Sequence, residues 1–306
     1  MVMSLAERAT SRFFFSIRSR LGWRSLSAVV SELASELEPI RRQRNRRGGL
    51  PDANGDIDVT VVAAGDRGGI KFDRQALSEA AISDWEVTHG HLKEQMRVIK
   101  RRLLNQDTSG PEEANSRGSL IMVTSARSEE GKTFTALGLA FAIAAEPNRH
   151  VLLIDLDGSP HGLRHLLNGS VATGLTDLLS DRSLDLGTLV VDTDVPRLSV
   201  LLAGSQHHHA GDLVAGARMC SVVDEIMRRY PDWLILIDAP PCLVSSIPAA
   251  IAAMVGQIVF VVEADRTQRA EVEASVDLVA HCARISLILN KTSVRTSDSF
   301  GSYAYN

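Results

Sequence analysis

Hydrophobic and polar positions divide the chain into a weakly patterned first part and a strongly patterned second part. After residue 119, continuous apolar runs alternate with segments of helical periodicity. Such runs are typical of strands buried on both faces, so the alternation predicts an α/β doubly wound, mostly parallel sheet. The predicted strands are LIMVTS, VLLIDLD, LSVLLAG, WLILIDAP, QIVFVVEAD and ISLILN, and the predicted helices cover 132–146, 173–180, 212–229 and 268–281.

An amphipathic helix is predicted just before this part, at residues 91–104. Its apolar positions recur at intervals of four, three and four residues: Leu92, Met96, Ile99 and Leu103. This spacing places them on one helix face. A neighbouring face carries charged residues at three-residue steps, where they can pair within or between helices: Glu94, Arg97 and Lys100.

The first 90 residues form a basic, weakly structured and partly disordered N-terminal region in this interpretation. Residues 1–47 contain ten arginines and four glutamates, whereas the whole chain has a net charge of −4. The global charge gives no reason to expect specific nucleic-acid binding. The basic stretch fits either a solvated segment or contact with an anionic surface.

From the hydrophobic pattern, we predict a domain at 91–291 and a flexible tail at 292–306.

The compartment is predicted to be cytoplasmic. Residues 240–262 form an uncharged stretch that is long enough to span a bilayer. Pro248, Gly256 and Gln257 interrupt this stretch. A loop, a short buried helix and a strand are expected there instead. The chain has three cysteines without metal-ligand spacing, which we interpret as reduced core residues: Cys220, Cys242 and Cys282.

A phosphate-binding loop is predicted at residues 125–136, SARSEEGKTFTA. Gly131, Lys132 and Thr133 follow an apolar strand and begin a predicted helix, as such a loop requires. Backbone N–H groups near the helix start would contact phosphate oxygens, Lys132 would reach the β- and γ-phosphates, and the Thr133 hydroxyl would ligate Mg²⁺. Ala126 occupies the usual place of the first glycine. Two glutamates, at 129 and 130, precede Gly131.

Three aspartates follow apolar strands: Asp155 and Asp157 after VLLI, and Asp238 after LILI. A single aspartate at such a place is often a helix cap. Three of them at the carboxyl edge of one sheet can hold Mg²⁺, orient a nucleophile and accept its proton.

The motif set S-A-x-x-x-E-G-K-T, LLIDLD and LILIDAPP resembles the bacterial tyrosine kinases of exopolysaccharide biosynthesis. These are P-loop NTPases of the deviant Walker type, related to partitioning ATPases, and the resemblance extends over residues 91–291. It is strongest to the cytoplasmic autokinases of exosortase-associated loci. In that family the loop typically reads S-x-x-P-G-E-G-K-[ST]. Ala126 and Glu130 therefore fit, whereas Glu129 replaces a glycine at a position where a positive φ is expected.

The resemblance implies ATP and Mg²⁺ as cofactors and assigns roles to particular residues. The catalytic residues would be Lys132, Asp155, Asp157 and Asp238. Nucleotide would be bound by Glu130, Gly131, Lys132, Thr133, Phe134 and Asn290, with Asn290 reading adenine. The metal ligands would be Thr133, Asp157 and Asp238. Subunits would pack into a ring through Glu94, Arg97 and Lys100.

The resemblance also implies a C-terminal tyrosine cluster as the substrate, here Tyr303 and Tyr305. The expected function is a protein-tyrosine autokinase that regulates exopolysaccharide polymerisation or export. A membrane-embedded co-polymerase would activate the chain and hold it at the inner face of the plasma membrane. Two alternatives stay open. Arg127 at the signature-lysine position fits a ParA/MinD-like ATPase switch, and Glu129 with the missing arginine after Asp157 fits a nucleotide-binding pseudo-kinase.

Overall fold

The computed structural model describes residues 13–18, 69–80, 91–104, 117–159, 162–168, 173–205, 210–282 and 284–292. Most of the basic N-terminal region, most of the linker at 105–118 and the tail tyrosines Tyr303 and Tyr305 lie outside the described residues.

An eight-stranded sheet forms the centre of the structure, and its strands lie in the order β1 (Phe13–Arg18), β10 (Arg284–Asn290), β9 (Gln257–Glu263), β3 (Leu120–Ser125), β8 (Leu234–Asp238), β4 (Val151–Asp155), β7 (Leu198–Leu201) and β6 (Val191–Asp192). All neighbouring strands from β10 to β7 are parallel, whereas β1 and β6 pair antiparallel at the two edges. The predicted doubly wound, mostly parallel sheet is confirmed.

Helices cover both faces of the sheet: α1 (Arg74–Glu79), α2 (His91–Leu104), α3 (Lys132–Ala144), α4 (Leu175–Ser180), α5 (Leu186–Leu189), α6 (Ala210–Ala215), α7 (Ala217–Arg229), α8 (Ile247–Ile251) and α9 (Arg269–Leu278). A 3₁₀ helix spans Leu163–Leu166. The single helix predicted at 212–229 is wrong. Gly216 has extended backbone angles (φ −76°, ψ 160°), so the segment divides into α6 and α7.

The continuous apolar strands are explained by two hydrophobic cores, one on each face of the sheet. Along β3, Leu120 and Met122 belong to one core, whereas Ile121 and Val123 belong to the other. Successive side chains of a strand point to opposite faces, so every position is buried. The apolar stripe of α2 packs in the second core, as its periodicity predicts.

Part of the N-terminal region packs against this domain. Residues Lys71–Phe72 form β2, which pairs antiparallel with β5 (Leu167–Asn168). The buried Phe72 ring meets Phe141 edge-to-face, with ring centroids 5.2 Å apart. The backbone of β1 adds a further strand from this region to the sheet. The N-terminal region therefore contributes elements to the fold, which its weak sequence pattern did not predict.

The uncharged stretch from 240 to 262 is a loop, the short helix α8 and most of β9, in agreement with the sequence interpretation. Within the described ranges, no helix combines the length and apolar character needed to cross a bilayer. Cys242 and Cys282 are buried, but Cys220 is exposed, so its assignment to the core is wrong. The exposed position lies on α7, whose buried face consists of Met219, Val222, Val223 and Ile226.

Candidate active site

The predicted site residues converge at the carboxyl ends of three adjacent strands. In the parallel pair of β4 and β8, Asp155 lies opposite Asp238, and β3 pairs with β8 so that Val123 lies opposite Asp238. The loop that follows β3 leads directly into α3, which begins at Lys132. The register of the sheet thus brings together residues that are far apart in sequence.

The loop before Lys132 contains two residues with left-handed backbone. Glu129 has φ 66° and Gly131 has φ 92°. A Cβ at Gly131 would overlap Nδ2 of Asn290, so glycine is required there both for its backbone angle and for space. The positive φ expected at Glu129 is confirmed, and it places a strained non-glycine residue in the loop.

The Glu130 carboxylate is part of the loop's own scaffold. It is 1% exposed, and its Oε2 accepts a 2.7 Å hydrogen bond from the Arg127 N–H. Its Oε1 accepts from the Glu263 N–H at 3.4 Å and from the Thr267 hydroxyl. These bonds connect the loop to the end of β9. A carboxylate within a phosphate-binding loop is therefore accommodated because it is buried and hydrogen-bonded inward.

Lys132 is held among acidic side chains. Its Nζ lies 2.6 Å from Asp157 Oδ2 and 3.3 Å from the Thr133 hydroxyl. The Ser159 hydroxyl donates to the same Asp157 oxygen at 2.9 Å. Burial lowers the pKa of Lys132, but Asp238, Asp157 and Asp155 raise it, and the net shift is upward. The lysine is therefore a firmly charged cation at the helix start.

Asp155 and Asp238 are both buried, but their hydrogen bonding differs. Asp155 Oδ1 accepts from the N–H groups of Asp157 and Gly158, each at 3.0 Å. No described donor makes a well-aligned hydrogen bond to either Asp238 oxygen, although the Thr133 hydroxyl lies close enough to lower its pKa. Burial raises the pKa of both carboxyls, and that of Asp238 rises to about 7.

This donor set fits a nucleotide with Mg²⁺. An unpartnered buried carboxylate is costly unless a cation or donor meets it, and Asp238 lies beside the Thr133 hydroxyl. No group of three or more His, Cys, Asp or Glu side chains in the described part of the chain is arranged to hold a metal ion by itself. Mg²⁺ usually takes one or two carboxylates and completes its shell with phosphate and water. Thr133, Asp157 and Asp238 are the residues that would hold it.

Two other predicted nucleotide-binding residues support the loop or the core. Asn290 is buried, and its Nδ2 donates to the Glu130 carbonyl at 2.8 Å. Phe134 is partly buried against the second core. Their roles toward adenine and nucleotide stay predictions. The Arg127 side chain, at the signature-lysine position, pairs with Glu271 of α9 at 3.4 Å.

The charged face of α2 is divided between solvent and the neighbouring helix. Arg97 and Glu94 are exposed and pair with each other at 3.4 Å. Lys100 is largely buried, because its Nζ donates to the Ala142 carbonyl at 3.1 Å and pairs with Glu146 at 2.5 Å. Lys100 therefore caps the C-terminus of α3 within the same chain. The predicted role of these three residues between subunits stays a prediction.

Several residues that shape the site carry no local sequence signal. Thr267 and Glu263 hold the Glu130 carboxylate, and Lys291 donates to the Glu129 carbonyl at 2.6 Å. Glu263 ends β9, Thr267 and Lys291 follow β9 and β10, and none of the three belongs to a motif, so sequence reasoning missed them. Their position at the carboxyl ends of these strands, where ligands bind in doubly wound sheets, is the signal that could have found them.

Comparison with known proteins identifies the class to which this fold and site belong. The family described as the CobQ/CobB/MinD/ParA nucleotide binding domain matches residues 121–297. That range is more than half of the chain, and the chain belongs to this family. The matched residues, 121–297, include the phosphate loop, all three aspartates and Asn290.

Within this class, the chain is similar to bacterial tyrosine kinases. Tyrosine-protein kinase CpsD of Streptococcus agalactiae is 31% identical over 189 residues, which are 60% of this chain and 81% of CpsD. Tyrosine-protein kinase ptk of Acinetobacter johnsonii is 27% identical over 164 residues, which are 54% of this chain but only 22% of ptk. The kinase domain of Escherichia coli tyrosine kinase ETK has the same fold, with a TM-score of 0.59 at 24% identity, covering 72% of this chain and 84% of that domain. The resemblance predicted from the motifs is confirmed.

Proposed function

We propose that this chain is an ATP- and Mg²⁺-dependent protein-tyrosine kinase that phosphorylates its own C-terminal tyrosines, Tyr303 and Tyr305. The observation that carries the proposal is the position of Lys132 among three aspartates at the sheet edge, directly after a phosphate-type loop. Phosphoryl transfer depends on positioning and on charge stabilisation, and this cluster supplies both.

Each residue has a distinct role in this mechanism. The N–H groups of the loop and the Lys132 ammonium bind and orient the β- and γ-phosphates. When bound, Mg²⁺ neutralises charge that develops on the phosphate oxygens, and Thr133, Asp157 and Asp238 hold it. Asp155 accepts the phenol proton of the incoming tyrosine. The raised pKa of Asp155 and its two backbone hydrogen bonds fit a fixed general base.

Before nucleotide binds, the Lys132 ammonium is paired with Asp157. Binding must therefore exchange that partner for phosphate oxygens, and it frees the Asp157 carboxylate to ligate the metal. The pair keeps the lysine and the aspartate beside the phosphate loop before nucleotide binds.

The proposed assembly is a homo-oligomer, with a ring as the arrangement that the family resemblance favours. Its subunits would pack through the exposed part of α2, where Glu94 and Arg97 lie. A membrane-embedded polysaccharide co-polymerase is the proposed activator, and it would hold the chain at the inner face of the plasma membrane. Phosphorylation of both tail tyrosines adds about three to four negative charges, which would repel the tail from the acidic site. The polymer regulated is an exopolysaccharide in this proposal.

A ParA/MinD-like ATPase switch is the second candidate, because the chain belongs to the family that includes these proteins. Arg127 occupies the signature position, but Glu271 of its own chain pairs with the side chain. A switch that uses this cation across a dimer would first have to break that pair. A pseudo-kinase is the third candidate, supported by the strained Glu129.

One experiment separates the three. The full chain is incubated with γ-labelled ATP and Mg²⁺, beside a Lys132→Ala control. An autokinase transfers label to protein, a switch releases labelled phosphate only, and a pseudo-kinase does neither. Label on the Lys132→Ala protein would contradict the assignment of the site.

A further inference from the structure

Two non-glycine residues with left-handed backbone meet beside the phosphate loop. Glu129 has φ 66° and Lys291 has φ 56°. Such a conformation is sterically unfavourable for a non-glycine residue, and it persists where surrounding contacts fix it. The contact that joins the two residues is a 2.6 Å hydrogen bond from Lys291 Nζ to the Glu129 carbonyl.

The end of β10 in fact holds two successive carbonyls of the loop. Lys291 binds the Glu129 carbonyl, and Asn290 binds the Glu130 carbonyl at 2.8 Å. The C=O and N–H of a trans peptide point in opposite directions. Fixing these two carbonyls therefore directs the N–H groups of Glu130 and Gly131 away from β10. Neither N–H donates to another described residue, so both are available for an anion.

Lys291 itself is oriented by a carboxylate. Its Nζ lies 3.4 Å from Oε2 of Glu263, which is 9% exposed, and Arg266 lies at the same distance from that oxygen. Glu263 also donates its N–H to the Glu130 carboxylate. The lysine thus connects the ends of β9 and β10 to the strained residue of the loop, whereas Arg266 shares the carboxylate but has no bond to Glu129.

We propose that Lys291 is a positioning residue, which holds the Glu129 carbonyl and so keeps the loop N–H groups in phosphate-binding orientation. The proposal rests on the nucleotide site proposed above. A glutamate at position 129 makes the clamp necessary, because the left-handed backbone would relax if the carbonyl were released.

The test compares Lys291→Met, which keeps the length of the side chain, with Lys291→Arg, which keeps a cationic donor. The matched control is Arg266→Met, which removes a cation from Glu263 without touching the loop. Hydrogen exchange is measured by mass spectrometry on the nucleotide-free full chain, and ADP and ATP-Mg²⁺ affinities are measured by calorimetry. A charge-assisted hydrogen bond of this kind corresponds to about a ten-fold change.

The expected result for Lys291→Met is about ten-fold faster exchange of the Arg127 N–H, which is hydrogen-bonded to the Glu130 carboxylate within the loop, and a Kd for nucleotide raised about ten-fold. Lys291→Arg should restore most of the slow exchange in the loop and most of the nucleotide affinity. Arg266→Met should resemble wild type in both measurements. Loop exchange in Lys291→Met equal to that in Arg266→Met would overturn the proposal, as would exchange that rises throughout the domain. If wild type binds no nucleotide, the proposed function fails, but the exchange comparison still decides whether Lys291 holds the loop.

Discussion

The ammonium of Lys132 and the carboxylate of Asp157 form a pair 2.6 Å apart in which each side chain is only 10% exposed. One residue begins α3 and the other follows β4, so the pair joins the phosphate loop to the neighbouring strand end. It defines the resting arrangement of the site. Nucleotide binding must rearrange it.

Asp157→Asn tests the metal role of that carboxylate. Since the aspartate is a proposed Mg²⁺ ligand, the variant should lose most of the tightening that Mg²⁺ gives to ADP binding, by at least about ten-fold. Affinity for metal-free ADP should be unchanged or tighter, because one negative charge near the phosphates is removed. Calorimetric titration with Mg²⁺ or with EDTA makes the comparison.

Ser159→Ala is the matched control for this change, because it removes only a hydrogen bond to the same Asp157 oxygen. It should keep the Mg²⁺ effect. An Asp157→Asn protein with the full Mg²⁺ effect would show that the metal is held elsewhere.

The raised pKa of Asp238 leads us to expect a pH-dependent stability of the nucleotide-free protein. Burial raises its pKa from 3.8 to about 7 in the folded state. The folded chain then binds more protons than the unfolded chain between these values, so stability falls as pH rises from about 4 to about 7 and changes little above. The cost at pH 7.5 is on the order of 2–4 kcal/mol.

Asp238→Asn removes this cost, so its Tm in EDTA should exceed that of wild type at pH 7.5 and approach it near pH 5. Asp232→Asn is the control, because Asp232 is exposed. Thermal melts at the two pH values decide the point. A wild-type Tm that does not fall relative to Asp238→Asn between them would mean that Asp238 is not the strained carboxylate.

Glu129→Gly should tighten nucleotide binding several-fold. Glycine adopts φ 66° without the steric cost that glutamate bears, and the change removes a negative charge from the loop. Glu146→Gln, at the far end of α3, serves as a charge-matched control. Calorimetry with ATP-Mg²⁺ measures both. Unchanged or weaker binding in Glu129→Gly would give the glutamate a positive role in the site.

The sequence predicted the strands and the loop because their signals are local. Burial on both faces makes β3, β4 and β8 continuously apolar. A G-K-T tripeptide between a strand and a helix is typical of a phosphate-binding loop. The break at Gly216 was missed because apolar periodicity continues through it. The hydrogen bonds from Thr267 to Glu130 and from Lys291 to Glu129 join residues more than 130 positions apart in sequence. No local pattern encodes such contacts.

Arg97→Glu tests assembly through α2. Lys100 is a poor choice for this purpose, because reversing it would break its bonds to Ala142 and Glu146 inside the chain. Arg97 is half exposed and pairs only weakly with Glu94, so its reversal should leave folding intact and shift the protein toward monomer. Light scattering with ADP-Mg²⁺ measures the mass. The same mass for wild type, Arg97→Glu and an exposed control, Arg182→Glu, would remove α2 from the interface.

Phosphorylation of the tail is the central claim, and mass spectrometry of the full chain after incubation with ATP-Mg²⁺ tests it most directly. Phosphate is expected on Tyr303 or Tyr305, and none on Tyr230, whose ring packs against Trp233 with centroids 4.5 Å apart. The Tyr303→Phe/Tyr305→Phe double variant should take up no phosphate, and neither should Lys132→Ala. Equal phosphate on the double variant and on wild type would contradict the account, because the phosphate would then lie on residues other than the tail tyrosines.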